Sequence, residues 1–417
     1  MTTTATTLPV GRALQNSAFR RLFMADTASQ MGTNVAAVAL PLVAVIALHA
    51  SAFEAGLLVA AERAAFLVIS LPAGVWVDRM ARRPLMIAAD LVRTLLLLTI
   101  PPAWWAGVLS LPQLYVIALG TGMATVVFDI AYQSYVPSVL TRDQLVDGNT
   151  KLEIVRSGSE VAGPMLGGWL IQILAGPATL LVTAIGYALS ALSLGQIDLA
   201  EAIAKPRETT RLGGEIREGI RFVVRHPIVG KIVLCMAIAN FSVGMLQAVQ
   251  AIFVVRDVGV SPGLYGVLLS AGAVGALLGA AATARAARLV GSARLIWVAL
   301  LVAAPGSLMI PFTAPGWRTS LFAVGVFLDG FGVVMYSVSQ ISYRQAAAPE
   351  HLLGRMNATI RMAAWGALPI GGLAGGLVGQ VFDVRTAVWA GVIGSVLCVI
   401  PLLLSPLVHM RDLPESP

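Results

Sequence analysis

Long apolar runs separated by short polar breaks recur along the whole chain, and runs of roughly 20 apolar residues predict helices that cross a bilayer. In the first half they extend from about Leu22 to Leu48, Phe53 to Val77, Leu85 to Val108, Gln113 to Val136, Val146 to Leu174 and Ala178 to Leu199. The segment Glu201 to Arg225 then breaks the pattern with Lys205, Arg207, Arg211, Arg217, Arg221 and Arg225. Six further runs follow, from about Ile228 to Val255, Tyr265 to Ala282, Leu295 to Phe312, Ser320 to Tyr343, Met362 to Val381 and Ala387 to Val408. The pattern predicts an all-α membrane protein of twelve transmembrane helices, six on each side of one long polar connection. Three regions follow: a six-helix bundle over 1–199, a linker over 200–227 and a second six-helix bundle over 228–417. Within the linker, Glu215 to Arg225 alternates apolar positions at helical spacing with basic ones, as a helix lying at a membrane surface does.

Composition agrees. Of 417 residues, 57% are hydrophobic and 12% charged, with a mean hydropathy of +0.83, against the roughly 45–50% apolar content of soluble domains. A formal charge of +7 would suit nucleic acid, but the Arg residues cap apolar runs and leave no basic face, so no nucleic-acid partner is expected. Their placement follows the positive-inside rule. Arg79, Arg82 and Arg83, then Arg142 and Lys151, the linker, Arg285, Arg288 and Arg294, and Arg344 and Arg355 share one side. The opposite connections hold only Arg256, Arg318 and Arg385. Both termini and the linker are therefore expected in the cytosol, with Met1 to Asn16 as a cytosolic tail. Cys235 and Cys398, far apart within apolar runs, are expected to pack as small hydrophobes. The four His stand at run ends without metal spacing, and no Gly-x-x-x-x-Gly-Lys loop is present. No metal, no cofactor and no enzymatic step is expected.

Ionisable residues inside the runs stand out, because each costs roughly 2.5–3.5 kcal/mol or more in hydrocarbon and must face a cavity or a partner. Asp26, Glu62, Glu160 and Asp329 are the carboxylates at depth, and Arg63, Arg93, Arg156 and Arg361 the cations. A carboxyl in a dry site binds a proton near neutral pH and releases it when water enters. Glu62 is the first candidate for such a proton carrier, with Asp26 and Asp329 behind it, and it is equally a candidate for a fixed partner of Arg156 or Arg93. Asp90 and Arg93, three apart on one helix face, read as a fixed pair. Asn34, Gln133, Asn240, Gln247, Gln250, Tyr336 and Gln340 are candidate cavity residues, with Trp365 and Phe241 as stacking surfaces for a bulky ligand. Each of these is equally compatible with a helix–helix contact.

A weak internal repeat runs at an offset of about 208 to 210 residues. Arg142-Asp143-Gln144-Leu145 with Asn149 aligns with Glu350-His351-Leu352-Leu353 with Asn357, and Leu57 to Ala61 with Val267 to Ala271. Together with six runs per half, it favours two parallel, pseudo-symmetric bundles with the transport path between them. Between the second and third runs lies Gly74-x-x-x-Asp78-Arg79-x-x-Arg82-Arg83, and in the fifth Gly163-Pro164-x-x-Gly167-Gly168. Pro164 removes a backbone donor and kinks its helix, and the glycines permit close contact.

These features resemble the major facilitator superfamily, whose loop between helices two and three carries the first signature, with Ala81 here in place of a Gly. Asn16 to Phe23, Ala89 to Arg93, and Arg217-Glu218-Gly219 with Arg225-His226-Pro227 are similar to the bacterial branch of macrolide, tetracycline-type and enterobactin exporters. The resemblance implies two six-helix bundles and a cytosolic gate latch of Gly74, Asp78, Arg79, Arg82 and Arg83 with Asp129 as acid partner. The Gly163 motif is similar to one associated with drug/proton antiporters. The expected function is a proton-coupled antiporter that exports amphiphilic small molecules from a bacterial cell (inner) membrane by alternating access. Its expected partners are the lipid bilayer, the substrate and protons, and the protein is expected to be a monomer. The alternative is a dedicated exporter of a siderophore or other natural product, or a lipid transporter.

Overall fold

The computed structural model describes residues 13–141, 144–174, 176–198, 212–347 and 350–412, and every regular element among them is helical. In hydrocarbon an α-helix satisfies its backbone polar groups within one segment, so apolar runs of this length have few alternatives. The first half holds α1 (Ser17–Ile46), α2 (Ala52–Arg79), α3 (Arg82–Leu98), α4 (Leu111–Val139), α5 (Leu145–Ile173) and α6 (Thr179–Gly195). After α7 (Leu212–Arg225) come α8 (Val229–Ala251), α9 (Pro262–Val290), α10 (Leu295–Met309), α11 (Ser320–Ala347), α12 (Glu350–Val381) and α13 (Val384–Leu397). Nine of the described helices are long and apolar enough to cross a membrane. The first half of α5 is instead polar, with Asp147, Lys151, Glu153, Arg156 and Glu160.

Side chains at the membrane surfaces start several helices. The Asn16 side chain accepts from the Ala18 and Phe19 amides, and Ser51 and Glu54 form a reciprocal capping box on α2. Ser261 and Asp383 cap α9 and α13 in the same way. Some boundaries differ from those the apolar pattern predicts. Helix α12 begins at Glu350 rather than near Met362, and α9 runs past Ala282 to Val290. Apolar runs mark only the part of a helix that lipid covers, and both helices continue into water as polar turns. Helix α3 is interrupted at Thr99, ahead of Pro101 and Pro102, and resumes as Ile100–Trp105. Helix α8 ends in a π-helix, Ile252–Asp257.

Within the first half α1 packs on α5 and α6, α2 on α4, and α3 on α4 and α6. The second half repeats this arrangement, with α8 on α12 and α13, α9 on α11, and α10 on α11 and α13. The halves meet along two seams, α5 with α9 and α2 with α12. Glycines make both seams possible. A Cβ on Gly266 of α9 would stand 2.1 Å from the Pro164 carbonyl oxygen of α5, and one on Gly168 2.2 Å from the Pro262 carbonyl oxygen. On the other seam, a Cβ on Gly56 of α2 would stand 2.5 Å from the Gly372 oxygen of α12.

Three hydrophobic cores show where the halves touch. One, at the end opposite α7, takes residues from both: Leu42, Val43 and Val45 of α1 pack with Val249, Ile252, Phe253 and Val254. The two cores nearer α7 are each confined to one half, around Phe19, Phe128 and Tyr135 in the first and Ile232, Met356 and Leu402 in the second. The space between the halves is thus sealed at the far end and divided at the linker end. Arg256 reinforces the seal, its guanidinium donating to the Val45 carbonyl at 2.8 Å. Trp105, Trp317 and Phe382 stand exposed at that far end, as residues of an interfacial aromatic belt do.

The seam geometry makes a paired prediction. Gly266→Ala forces a methyl into a backbone carbonyl and should lower the melting temperature of the purified protein by about 2–6 °C. Gly158→Ala, where a Cβ meets nothing within 4 Å, should leave it unchanged, and equal melting curves for the two variants would contradict the seam.

Candidate functional site

On the first half, α1, α4 and α5 line an open cavity of about 410 Å³ whose wall includes Asp26, Gln30, Tyr132, Gln133, Asn149, Glu153 and Arg156. Three local features build it. Pro137 lies inside α4, the polar first half of α5 faces inward, and α1 brings Asp26 from its third turn. Asp26 is 1% exposed. Tyr132 and Gln30 stand within interaction range of its carboxyl, although no well-aligned hydrogen bond joins Asp26 Oδ1 to the buried Tyr132 hydroxyl. Asp129, one turn before Tyr132, is within electrostatic reach of Asp26 and of Arg93. Arg156 donates to Glu153 at 2.7 Å and to Glu160 at 3.3 Å, so the one guanidinium of this wall is shared by two carboxylates.

Behind the wall sits a buried charge knot. Arg93 of α3 pairs with Asp90 one turn earlier, as their spacing predicts, and both are essentially inaccessible. The guanidinium also donates to Ser29 of α1 at 3.2 Å and Thr125 of α4 at 3.4 Å. Its flat faces are covered by Phe128, 4.6 Å to the ring centre, and Tyr187, 4.2 Å. Tyr187 in turn shares a 3.1 Å hydrogen bond with Thr33 of α1. One side chain therefore ties α1, α3, α4 and α6 together.

The other sequence candidates separate into three groups. Arg63 of α2 and Gln247 of α8 meet across the halves at 3.5 Å, and Phe66 stacks on Trp365 of α12 at 5.1 Å. Those contacts lie where the two halves begin to part. Asn34, Asn240 and Phe241 are engaged in helix packing. Asn34 bonds the Gln30 carbonyl and fills the space beside Gly163, Asn240 bonds the Met236 carbonyl, and the Phe241 backbone lies against Gly371. Asp329, Tyr336 and Gln340 lie inside the second half: Asp329 accepts from Ser307 of α10 at 2.8 Å, and Tyr336 is buried beside Cys235 and Cys398. Asp329 is thus turned toward α10, and Tyr336 and Gln340 are buried.

Glu62 is half-buried on α2 at the seam with Gly122 of α4. The two cations expected as its fixed partners are committed elsewhere, Arg93 to Asp90 and Arg156 to Glu153 and Glu160. Gln250 is half-buried on α8, and Arg361 is exposed on α12. In the loop between α2 and α3, Arg83 donates to the Leu194 carbonyl at 2.7 Å and to Gly195, the C-terminal end of α6. The Asp78 side chain, residues 142–143 and linker residues 199–211 lie outside the described residues. Tyr132, Asn149, Glu153, Phe128 and Tyr187 join the site without having been marked by the apolar pattern.

The knot carries a stability prediction. Arg93→Met leaves Asp90 buried without its cation and should cost about 3–5 kcal/mol, whereas adding Asp90→Asn should recover much of it. A thermal-melt double-mutant cycle measures this, and additive losses would show that the two residues act independently.

The geometry has counterparts among known proteins. The Major Facilitator Superfamily profile matches residues 22–368 and 232–416. The chain is similar to the multidrug efflux pump Tap of Mycolicibacterium fortuitum, 26% identical over 409 residues that cover 95% of this chain and 97% of that protein. It is likewise similar to the enterobactin exporter EntS of Shigella dysenteriae, 26% identical over 417 residues, 96% of this chain and 94% of that one. Among solved structures, the nucleoside transporter NupG (D323A mutant) superposes with a TM-score of 0.77 at 10% identity, over 93% of this chain and 99% of the other. The paired six-helix arrangement and the profile match agree: this chain is a multi-pass membrane protein of the Major Facilitator Superfamily, with its twelve-helix fold.

Proposed function

We propose that the protein is a proton-coupled antiporter that exports amphiphilic small molecules by alternating access. The observation that carries this reading is Asp26, a buried carboxyl with no salt bridge among the described residues, in the wall of a cavity on the divided side of the molecule. A carboxylate so placed is costly to keep charged, and a proton or a cationic group removes the cost. Binding of substrate beside Tyr132 and Gln133 then competes with the proton on Asp26, which is the coupling that exchange requires. On this geometry Asp26 ranks ahead of Glu62 as carrier, with Asp329 and Glu160 held by Ser307 and Arg156.

The chain is read as three regions, 1–199, 200–227 and 228–417, in a bacterial cell membrane with both termini in the cytosol. The linker end is then the cytosolic entrance, and closing it brings the α2–α3 loop, with Asp78, Arg82 and Arg83, to latch near Asp129. The likeness to a multidrug efflux pump supports export of varied amphiphiles. A second reading, a pump dedicated to one natural product, draws on the likeness to an enterobactin exporter.

Proton-gradient-driven uptake into inverted vesicles, across a panel of macrolides, tetracyclines, dyes and catecholate siderophores, separates these readings. Several substrates with gradient dependence support the first, a single one the second, and absence of gradient dependence for any rejects coupling. Asp26→Asn should abolish gradient-driven accumulation, and substrate binding to the purified protein, pH-dependent in the wild type because proton and substrate compete, should lose that dependence. If Glu62→Gln abolishes transport and Asp26→Asn does not, Glu62 is the carrier.

A further inference from the structure

Helix α7 and its connection to α8 form a second, shallow concave surface, on the linker side of the second half and separate from the transport cavity. It is a groove of about 420 Å³ lined by Glu218, Arg221, Phe222, Arg225, His226 and Pro227. At 100° per residue, Glu218, Arg221, Phe222 and Arg225 share one face of α7, and Val223 on another face is 5% exposed against the second half's core. Between these faces Ile220 and Val224 point outward, 42% and 74% exposed. The helix thus presents an apolar edge directly beside two exposed guanidiniums.

His226 completes the groove. Its Nδ1 accepts the backbone N–H groups of Ile228 at 3.3 Å and Val229 at 3.2 Å, the otherwise unpaired start of α8. That leaves Nε2 as the protonated nitrogen of a neutral ring, and burial holds this histidine below its ordinary value. The ring is steadied by Phe222, 5.5 Å between centres. Position in the chain supplies the last element. Arg225 is followed almost at once by the apolar span Val229–Asp257, so α7 ends at the membrane surface.

We propose that this groove binds the phosphate headgroup of an anionic membrane phospholipid. Arg221 and Arg225 contact the phosphate oxygens, His226 Nε2–H donates a third hydrogen bond, and Ile220 and Val224 enter the acyl region beside the bound chains. Among the described residues the groove lining holds two guanidiniums and one carboxylate, so an anion rather than a zwitterion is preferred. The lipid then pins the linker helix to the first turn of α8. This site is independent of what the central cavity transports.

The test uses the full chain, purified in a neutral detergent, with dioleoyl-phosphatidylglycerol and dioleoyl-phosphatidylcholine as probes and native mass spectrometry as readout. The wild type should retain phosphatidylglycerol in preference to phosphatidylcholine. Arg221→Gln with Arg225→Gln should lower that retention by about fivefold per arginine, while Arg221→Lys with Arg225→Lys keeps most of it. Raising the salt concentration should release phosphatidylglycerol from the wild type itself, a measurement that holds even where a variant folds poorly. Equal retention of both lipids by the wild type, or full retention by the glutamine double variant, overturns the proposal. So does competition by glycerol 3-phosphate at the same concentration as the lipid, which would assign the groove to a soluble phosphate.

Discussion

The fold depends on backbones approaching more closely than side chains allow. At each seam between the halves, one helix lays a glycine against the carbonyl of another, and at each position a single methyl group would collide with main-chain atoms. The two halves use the same device in register. On α5, Gly163 and Gly167 face α1 while Gly168 faces α9; on α12, Gly371 and Gly375 face α8 while Gly372 and Gly376 face α2. Adjacent glycines thus serve two neighbours at once, one within the half and one across it. In a bilayer, where lipid tails offer the same apolar contact as leucine, this close fit is a main source of helix–helix attraction.

The two bundles share a topology but not an interior. The first half keeps charge inside, with Arg93 held by Asp90 and two aromatic rings, and Asp26 and Asp129 nearby. The second half places a carboxyl, a phenol and two thiols in the equivalent space, Asp329 with Ser307 and Tyr336 with Cys235 and Cys398. Among the described residues the fully buried ion pair therefore belongs to the first half, and the second packs small polarisable groups in that space. The half with the buried guanidinium is also the half that sets Asp26 in a cavity wall, so a charge at Asp26 lies within a framework already organised around charge.

Much of this was legible in the chain. Apolar run length set the helices, because a bilayer imposes both the length and the backbone hydrogen bonding. The helical spacing of Asp90 and Arg93 announced their pair. The Gly163-Pro164 motif was visible as a kink, but its counterpart at Pro369, Gly371 and Gly372 lay inside an apolar run where nothing distinguishes a seam from a lipid face. Tyr132, Phe128 and Tyr187 were hidden for a related reason: an aromatic residue within a membrane helix has the same local pattern whether it meets lipid, a guanidinium or a cavity. Tyr336 and Asp329 show the converse, since polarity marks a residue as needing a partner without saying which side of the helix supplies it.

The π-helical end of α8 gives the sealed side a property of its own. Residues Ile252–Asp257 wind with more residues per turn than the helix before them, and they carry both the apolar plug of Ile252, Phe253 and Val254 and the Arg256 grip on α1. A wider turn is slack stored in the chain. It can be taken up locally, lengthening or shortening the tip of α8, while the glycine seams lower down stay in register. In the alternating-access cycle proposed above, opening of the sealed end would fall on this one turn rather than on the full length of the bundle.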